Sequence, residues 1–440
     1  MTMLKVMALP LDFSKLTADD DWSFSAESRA ETSALTHSYH RYPAKFIPQI
    51  VDKLIQDYTS KGDLVVDPFG GCGTTLVESK LNGRVSIGFD INPIAKLITQ
   101  TKITSIEPVI LEKSHAQFIN TYETSKVHSI NHHQRIEYWF EADTVKELDK
   151  IYSAINSISD PASRRFYLCA FSHNLKNSSR WLMKSIKPTI DKKKNISDPF
   201  ITINRHLKQM TKKNTQFYET LLEANNLDTS SKVYKTDSTK KWPVKDGTID
   251  LIITSPPYVT SYEYADLHQL SLLWFGSDPK QFKRWHNRFS KEFIEFRREF
   301  IGTSSKPKKS GNIESETGNI IISELFQIDR PLAEDVANYY IDMRKVFSRM
   351  YAGLKPGGVA SVIIGNTTLK GVKILNAEVA AEQMLAAGFK RVEFIKRELS
   401  SKMITPWRDS NTGKFTGLNN PDKHRIYDYE YVLVMRKPIK

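Results

Sequence analysis

Asp63-Leu-Val-Val-Asp-Pro-Phe-Gly-Gly-Cys-Gly-Thr-Thr75 changes character twice: an apolar run through Val66, a glycine-rich turn, then helix-compatible residues from Thr74 onward. That order predicts a buried strand, a tight loop and a helix, the opening of a βαβ unit on a parallel sheet. Gly70, Gly71 and Gly73 let the backbone approach a ligand where a Cβ would intrude, and the first helical turn presents N–H groups without internal partners. The stretch lacks the lysine of G-x-x-x-x-G-K-[ST] and the spacing of G-x-G-x-x-G, so neither a nucleoside triphosphate nor a nicotinamide dinucleotide is favoured. Arg84-Val-Ser-Ile-Gly-Phe-Asp90 reads as the next strand. Asp90, at its carboxyl end, stands where an acidic side chain grips ribose hydroxyls; the plainer alternative is a helix cap.

A second apolar strand, Asp250-Leu-Ile-Ile-Thr254, runs into Ser255-Pro256-Pro257-Tyr258. Adjacent prolines fix φ near about −65° and remove backbone donors, which leaves the carbonyls of the turn open to another partner. An exocyclic amine of a nucleobase suits that opening. Its lone pair is delocalised into the ring, so a catalyst must draw it toward tetrahedral geometry with acceptors at its hydrogens. Ser255 Oγ and the Pro256 carbonyl are the candidate acceptors, and Tyr258 supplies a ring to stack on a base held outside the duplex. Read alone, the stretch is equally a strand followed by an ordinary proline turn.

Taken in order, these motifs resemble those of the S-adenosylmethionine-dependent DNA amino-methyltransferases of bacterial restriction–modification systems, Asp-Pro-Phe-x-Gly-x-Gly-Thr-Thr and Ser/Asp/Asn-Pro-Pro-Tyr. Other stretches are similar to further elements of that family. His40-Arg-Tyr-Pro-Ala-Lys-Phe-Ile-Pro48 looks like the segment packing on the methionine end of the cofactor, and Lys232-Val-Tyr-Lys-Thr-Asp237-Ser238 like the third strand with its adenine-facing acid. Leu354-Lys-Pro-Gly-Gly358 with the following Val359-Ala-Ser-Val-Ile-Ile-Gly365 resembles the fifth strand and its loop, and Tyr427-Asp-Tyr-Glu-Tyr-Val-Leu-Val-Met435 the seventh. The likeness runs from about Thr36 to the end, interrupted by two long inserts.

The resemblance implies an α/β fold: a class I methyltransferase, Rossmann-like, with a seven-stranded mostly parallel sheet, helices on both faces, a helical insertion and a basic insertion. It implies S-adenosylmethionine as cofactor, contacted by Tyr42, Pro43, Lys45, Phe46, Asp67, Pro68, Phe69, Gly71, Gly73, Thr74, Thr75, Asp90, Ile91, Asp237 and Ser238. Ser255, Pro256, Pro257 and Tyr258 would carry catalysis on duplex DNA, with a restriction endonuclease acting on the same site as a cognate partner. Serine at the head of the Pro-Pro-Tyr motif is typical of the cytosine-N4 enzymes, aspartate or asparagine of the adenine-N6 enzymes, so cytosine is favoured and adenine is the alternative. Methylation at cytosine C5 needs a cysteine nucleophile following a proline. Cys72 follows Gly71 and Cys169 follows Leu168, which disfavours it. The expected mechanism is direct in-line transfer governed by positioning and polarisation. An RNA amino-methyltransferase and a noncatalytic DNA-binding protein are the readings from other classes.

The excess of +13 positive charges over 440 residues is concentrated. Lys176 to Asn214 holds eleven Lys/Arg against two acids and Lys280 to Lys309 ten against three, leaving the rest of the chain slightly acidic. Such a field fits a polyanion. Phe282, Trp285, Phe289, Phe293, Phe296 and Phe300 recur among the second set of bases at helical spacing, predicting an amphipathic helix with a basic outer face. Lys283, Arg284, Arg288, Lys306, Lys308 and Lys309 are the candidate DNA contacts.

The expected organisation is an N-terminal extension (1–35), a cofactor half (36–103), a helical insertion gripping the DNA backbone (104–230), a catalytic strand region (231–276), a basic target-recognition insertion (277–330) and the remainder of the methyltransferase domain (331–440). Residues 302–318, rich in Ser, Gly, Lys and Asn, suggest a mobile loop that orders on DNA, and the first thirty residues suggest partial disorder. His37, His40, His132 and His133 show no metal-ligand spacing and read as surface or packing residues, His40 with a further option near the methionine moiety; no metal is expected. With no long apolar run and two cysteines, a cytoplasmic protein associated with the nucleoid through DNA is expected, with no membrane contact.

Overall fold

The computed structural model describes residues 11–43, 45–125, 130–185, 187–259, 264–276, 289–399, 407–409, 416–417, 419–425 and 429–439. Strands β1 (Leu64–Asp67), β2 (Val85–Asp90), β3 (Ser231–Lys235), β4 (Ile249–Thr254), β5 (Leu354–Ile364), β6 (Lys390–Glu398) and β7 (Tyr429–Arg436) form one sheet in the order β3-β2-β1-β4-β5-β7-β6. Pairing is parallel from β3 to β5, and β7 runs antiparallel to both its neighbours. This is the class I methyltransferase sheet.

Strand side chains alternate between faces, and both faces are covered. Val65, Leu251 and Ile253 pack on Ile50, Val51 and Leu54 of helix α1 (Pro48–Tyr58). Val66 and Ile252 face the opposite layer, where Val346, Phe347 and Met350 belong to a long helix (Arg330–Gly353). From β1 the chain winds outward through α2 (Thr74–Leu81), β2, α3 (Pro93–Ile103) and eventually β3, then returns to the centre as β4. The strand order therefore reverses between β1 and β4, and a crevice opens at their carboxyl ends, the place where doubly wound sheets hold ligands.

Residues 104–230 carry α4 (Pro108–Thr124), α5 (Ala142–Asn156), α6 (Pro161–Leu175) and α7 (Pro199–Glu223). After β4 come α8 (Gln269–Gly276) and α9 (Phe289–Glu299), then α10 (Glu316–Ile328), α11 (the long helix just described, Arg330–Gly353) and α12 (Asn376–Ala386). The segments before β3 and after β4 share one core: Phe118, Leu148, Phe166 and Phe171 pack in the same cluster as Trp274 of α8 and Phe293 and Phe296 of α9. The expected amphipathic helix is thus present as α9. It turns Phe293 and Phe296 inward and leaves Arg298 exposed, while Arg297 donates to Asp266 through both carboxylate oxygens. Phe282 and Trp285 lie outside the described residues.

Two segments expected to be disordered make packed contacts where they are described, residues 1–10 lying outside the described residues. Residues 11–38 are a sequence of short 3₁₀ turns, packed on the sheet at their start and on the helices at their end: Phe13 is buried against Phe394 and Tyr431, the Asp19 amide donates to the Lys396 carbonyl at 2.8 Å, and Lys213 donates to Ser38. They carry no periodic pattern because their order comes from those contacts and not from local propensity. Residues 302–318 are likewise tied down. Lys306 and Lys309 both bind the carboxylate of Asp342, which is almost fully buried, at 2.7 and 2.6 Å, and Lys308 binds Asp335 at 2.5 Å. Lys309 N donates to Asn338 and Ser315 caps α10. Acids on α11, remote in sequence, neutralise the lysines that local composition presents as a free basic loop. Among the described residues no helix is long and apolar enough to cross a membrane.

Candidate active site

The keystone of the site is Asp67, the last residue of β1. Its carboxylate is buried and accepts from Thr254 Oγ1 on β4 at 2.7 Å, Thr75 Oγ1 on α2 at 2.8 Å and the Phe69 amide at 3.0 Å. One side chain thus locks two strand ends and the glycine loop together. Burial pushes its pKa up to about 6 against the opposing pull of those donors. Within the loop Gly71 and Gly73 take φ of 48° and 79°. At Gly73 a Cβ would come within 2.7 Å of Thr99, so glycine is required both for the turn and for the fit against α3.

Asp90 ends β2 and accepts from the amides of Gly71 at 3.1 Å and Asn92 at 2.8 Å. Asn92 in turn caps α3. Asp90 therefore holds the loop, and capping falls to its neighbour. Burial, with Asp67 adding a smaller push, raises the Asp90 carboxyl to about 7. Beyond β3, Asp237 Oδ1 accepts from the Thr239 amide and hydroxyl, and Ser238 Oγ donates to the Pro68 carbonyl. At the end of β4, among the described residues, Ser255 Oγ has no hydrogen-bond partner, whereas Tyr258 Oη donates to Glu430 at 2.8 Å.

These groups surround one cavity of about 930 Å³, mouth included. It is lined by Asp67, Pro68, Phe69, Gly71 and Thr74 of the loop, by Asp90 and Ile91, by Asp237 and Ser238, and by Ser255, Pro256, Pro257 and Tyr258. Tyr42, Lys45 and Phe46 close another side. Three of the expected cofactor contacts stand outside this lining. Pro43 lines a neighbouring groove, Gly73 shapes the turn, and Thr75 is spent on Asp67. Of the expected DNA contacts, Lys306, Lys308 and Lys309 are held in the internal ion pairs above, and Lys283, Arg284 and Arg288 lie outside the described residues.

His37, His40 and His132 are packing residues, as one half of the expectation had it. His37 meets Glu78 at 2.6 Å and His132 meets Asp149 at 2.7 Å, while His40 is buried against Ser172 at 3.0 Å beside the neighbouring groove. Burial raises Glu78 to about 8 and drives His37 well below its usual range.

Sequence reasoning missed two contributions. Glu299, Phe300 and Ile301, at and after the end of α9, line the cavity, so the segment following the catalytic strand folds back onto the site. Tyr258 is also held from behind: Glu430 joins it to Arg397 at 2.8 Å, and Arg397, fully buried, donates to the carbonyls of Trp22 and Ser23. An acid and an arginine inside the apolar strands β7 and β6 were the available signal, because charges are rarely buried without a partner.

The arrangement fits S-adenosylmethionine. Asp90 and Asp237 set two carboxylates in the same cavity as the glycine loop and the Pro-Pro-Tyr turn, and Tyr42, Lys45 and Phe46 complete its lining. The sequence comparisons agree with the class defined by the sheet. Residues 13–101 match the DNA methylase family model for N6 and N4 enzymes. The chain is similar to the type II methyltransferase M.MvaI of Kocuria varians, with 25% identity across 87% of this chain and 88% of that one. It is also similar to M.BsoBI of Geobacillus stearothermophilus, with 23% identity across 83% and 81%. A solved SAM-dependent methyltransferase from Methanosarcina mazei shares 9% identity over 91% of this chain and all of its own, with a TM-score of 0.31. The resemblance to the DNA amino-methyltransferases of restriction–modification systems therefore extends over most of the chain.

Proposed function

We propose that this protein transfers a methyl group from S-adenosylmethionine to the exocyclic N4 amine of a cytosine flipped out of duplex DNA, protecting that site from a cognate restriction endonuclease. DNA amino-methylation is the coarser statement and rests on the family likeness; N4 rests on Ser255. The observation that carries the reading is that Ser255-Pro256-Pro257-Tyr258 and the Asp67 loop, nearly two hundred residues apart, line one cavity at the switch point of the sheet.

The cofactor supplies an electrophilic methyl group on a sulfonium. Everything else falls to the chain's own residues. Ser255 Oγ and the Pro256 carbonyl accept the two amine hydrogens and concentrate the nitrogen lone pair toward the cofactor side. Tyr258, its hydroxyl fixed by Glu430, presents its ring to the base. Asp67 keeps the turn and the glycine loop in register, so acceptors and cofactor wall stay at fixed separation, which is where a positioning mechanism gains its rate. The amine loses a proton after transfer, to solvent.

Nucleoside mass spectrometry of duplex DNA incubated with the protein and methyl-labelled S-adenosylmethionine tests this. Labelled 4-methylcytosine is expected. Labelled 6-methyladenine would overturn the base assignment and keep the DNA reaction; label confined to RNA would overturn both. Ser255→Ala is expected to slow transfer by on the order of 10²-fold while leaving cofactor affinity unchanged. Equal losses in both would remove Ser255 from the acceptor role.

A further inference from the structure

Beside the cofactor cavity, and joined to it through Tyr42 and Lys45, lies a second groove of about 1580 Å³, mouth included. It runs between the 37–45 segment and the helical insertion, and four cationic side chains line it: Arg29, Arg41, Lys45 and Lys176. No carboxylate lines it among the described residues. The partners of three of these cations are neutral. Arg41 donates to the His173 carbonyl at 3.1 Å and to Asn177 at 3.0 Å, Lys45 to the His37 carbonyl, and Lys176 to the Ser185 carbonyl. The groove is built as well as charged. At its floor His40 joins Ser172, which joins Ser271 at 2.7 Å, and the Arg41 amide donates to His173 Nδ1.

Resting on the reading of the cavity as a DNA-methylation site, we propose that this groove seats the phosphates flanking the flipped nucleotide. A base inserted at Ser255 leaves its sugar–phosphate outside the cavity, and the flanking surface must hold that backbone against restacking. A guanidinium that is exposed, fixed by neutral acceptors and unneutralised by acid is suited to a phosphate oxygen pair. Burial, then the Arg41 charge, push the Lys176 ammonium down to about 8, so the empty groove holds like charges at a cost that an anion would relieve. Lys176 also opens the first of the two basic stretches, in the insertion expected to grip the DNA backbone.

The experiment is a titration of a labelled duplex against wild type, Arg41→Gln, Arg41→Lys and Lys176→Gln across roughly 50 to 200 mM salt, with cofactor affinity measured by calorimetry on the same preparations. Each Gln variant is expected to lower the slope of log affinity against log salt by about 0.9, one phosphate contact, while Arg41→Lys keeps the slope. Cofactor affinity stays at the wild-type value in all. Unchanged slopes in both Gln variants overturn the groove. Loss of cofactor affinity with unchanged slope also overturns it, assigning the cations to the cofactor's carboxylate. If wild type methylates duplex DNA and the slopes do not move, the groove alone fails; if wild type neither binds nor methylates duplex DNA, the functional reading fails with it.

Discussion

The lysines of residues 306–309 and the cations around Arg41 look alike as sequence, basic residues among small and polar ones, yet the fold uses them in opposite ways. The first set is locked onto Asp342 and Asp335 of α11. Three members of the second set are held by carbonyls and an amide, with no acid in the groove wall. Charge density in a sequence therefore says how many cations there are, and only the acids that the fold brings across say which of them remain available to a polyanion.

Three experiments act on that contrast. The largest effect is expected from Asp342→Ala, which strands the ammonium of Lys306, itself mostly buried, without its carboxylate: a loss of about 3 kcal/mol in urea unfolding. A stability change near zero would mean the pairs are incidental and the lysines free. Next, Lys308→Gln with Lys309→Gln should leave the salt slope at the wild-type value. A slope lowered by about 0.9 per lysine would erase the distinction between the two sets.

The smallest effect concerns Asp90, an acid held by backbone amides and not by a cation. Asp90 holds its proton up to about 7 in the folded chain against 3.8 as the reference value, with burial the main cause. Between those values the native state binds more protons than the unfolded one, so stability falls as pH rises. Asp90→Asn should flatten that fall in thermal melts taken between those two values, without abolishing it, because Asp67 and Glu78, raised to about 6 and about 8, add slopes of the same sign. An undiminished fall would remove Asp90 from the titration. Cofactor binding should weaken below about pH 7, where the carboxyl is protonated, and Asp90→Asn should lose that dependence.

The strands were readable because burial on both faces demands near-continuous apolar runs, as in Leu64–Val66 and Leu251–Ile253, and the loops because positive φ demands glycine. What escaped reading depends on partners far away in the chain. Residues 11–38 carry no periodicity; those up to Ser23 take their order from β6 and β7, and Ser33 to Ser38 from α2 and α7. The inward turn of residues 299–301 onto the cavity follows from α9 sharing a core with helices more than a hundred residues earlier. The bond from Tyr258 to Glu430 spans 172 positions.

By itself, then, the sequence determined the sheet, the loop that needs glycine and the residues standing at each strand's carboxyl end, since periodicity, φ preference and motif order are local properties. Tertiary structure decided which charges cancel, what holds Tyr258 from behind and which groove is left positive beside the cavity, because each depends on groups brought together only when the two inserts and the sheet pack, and electrostatic interactions act over ångströms rather than along the chain.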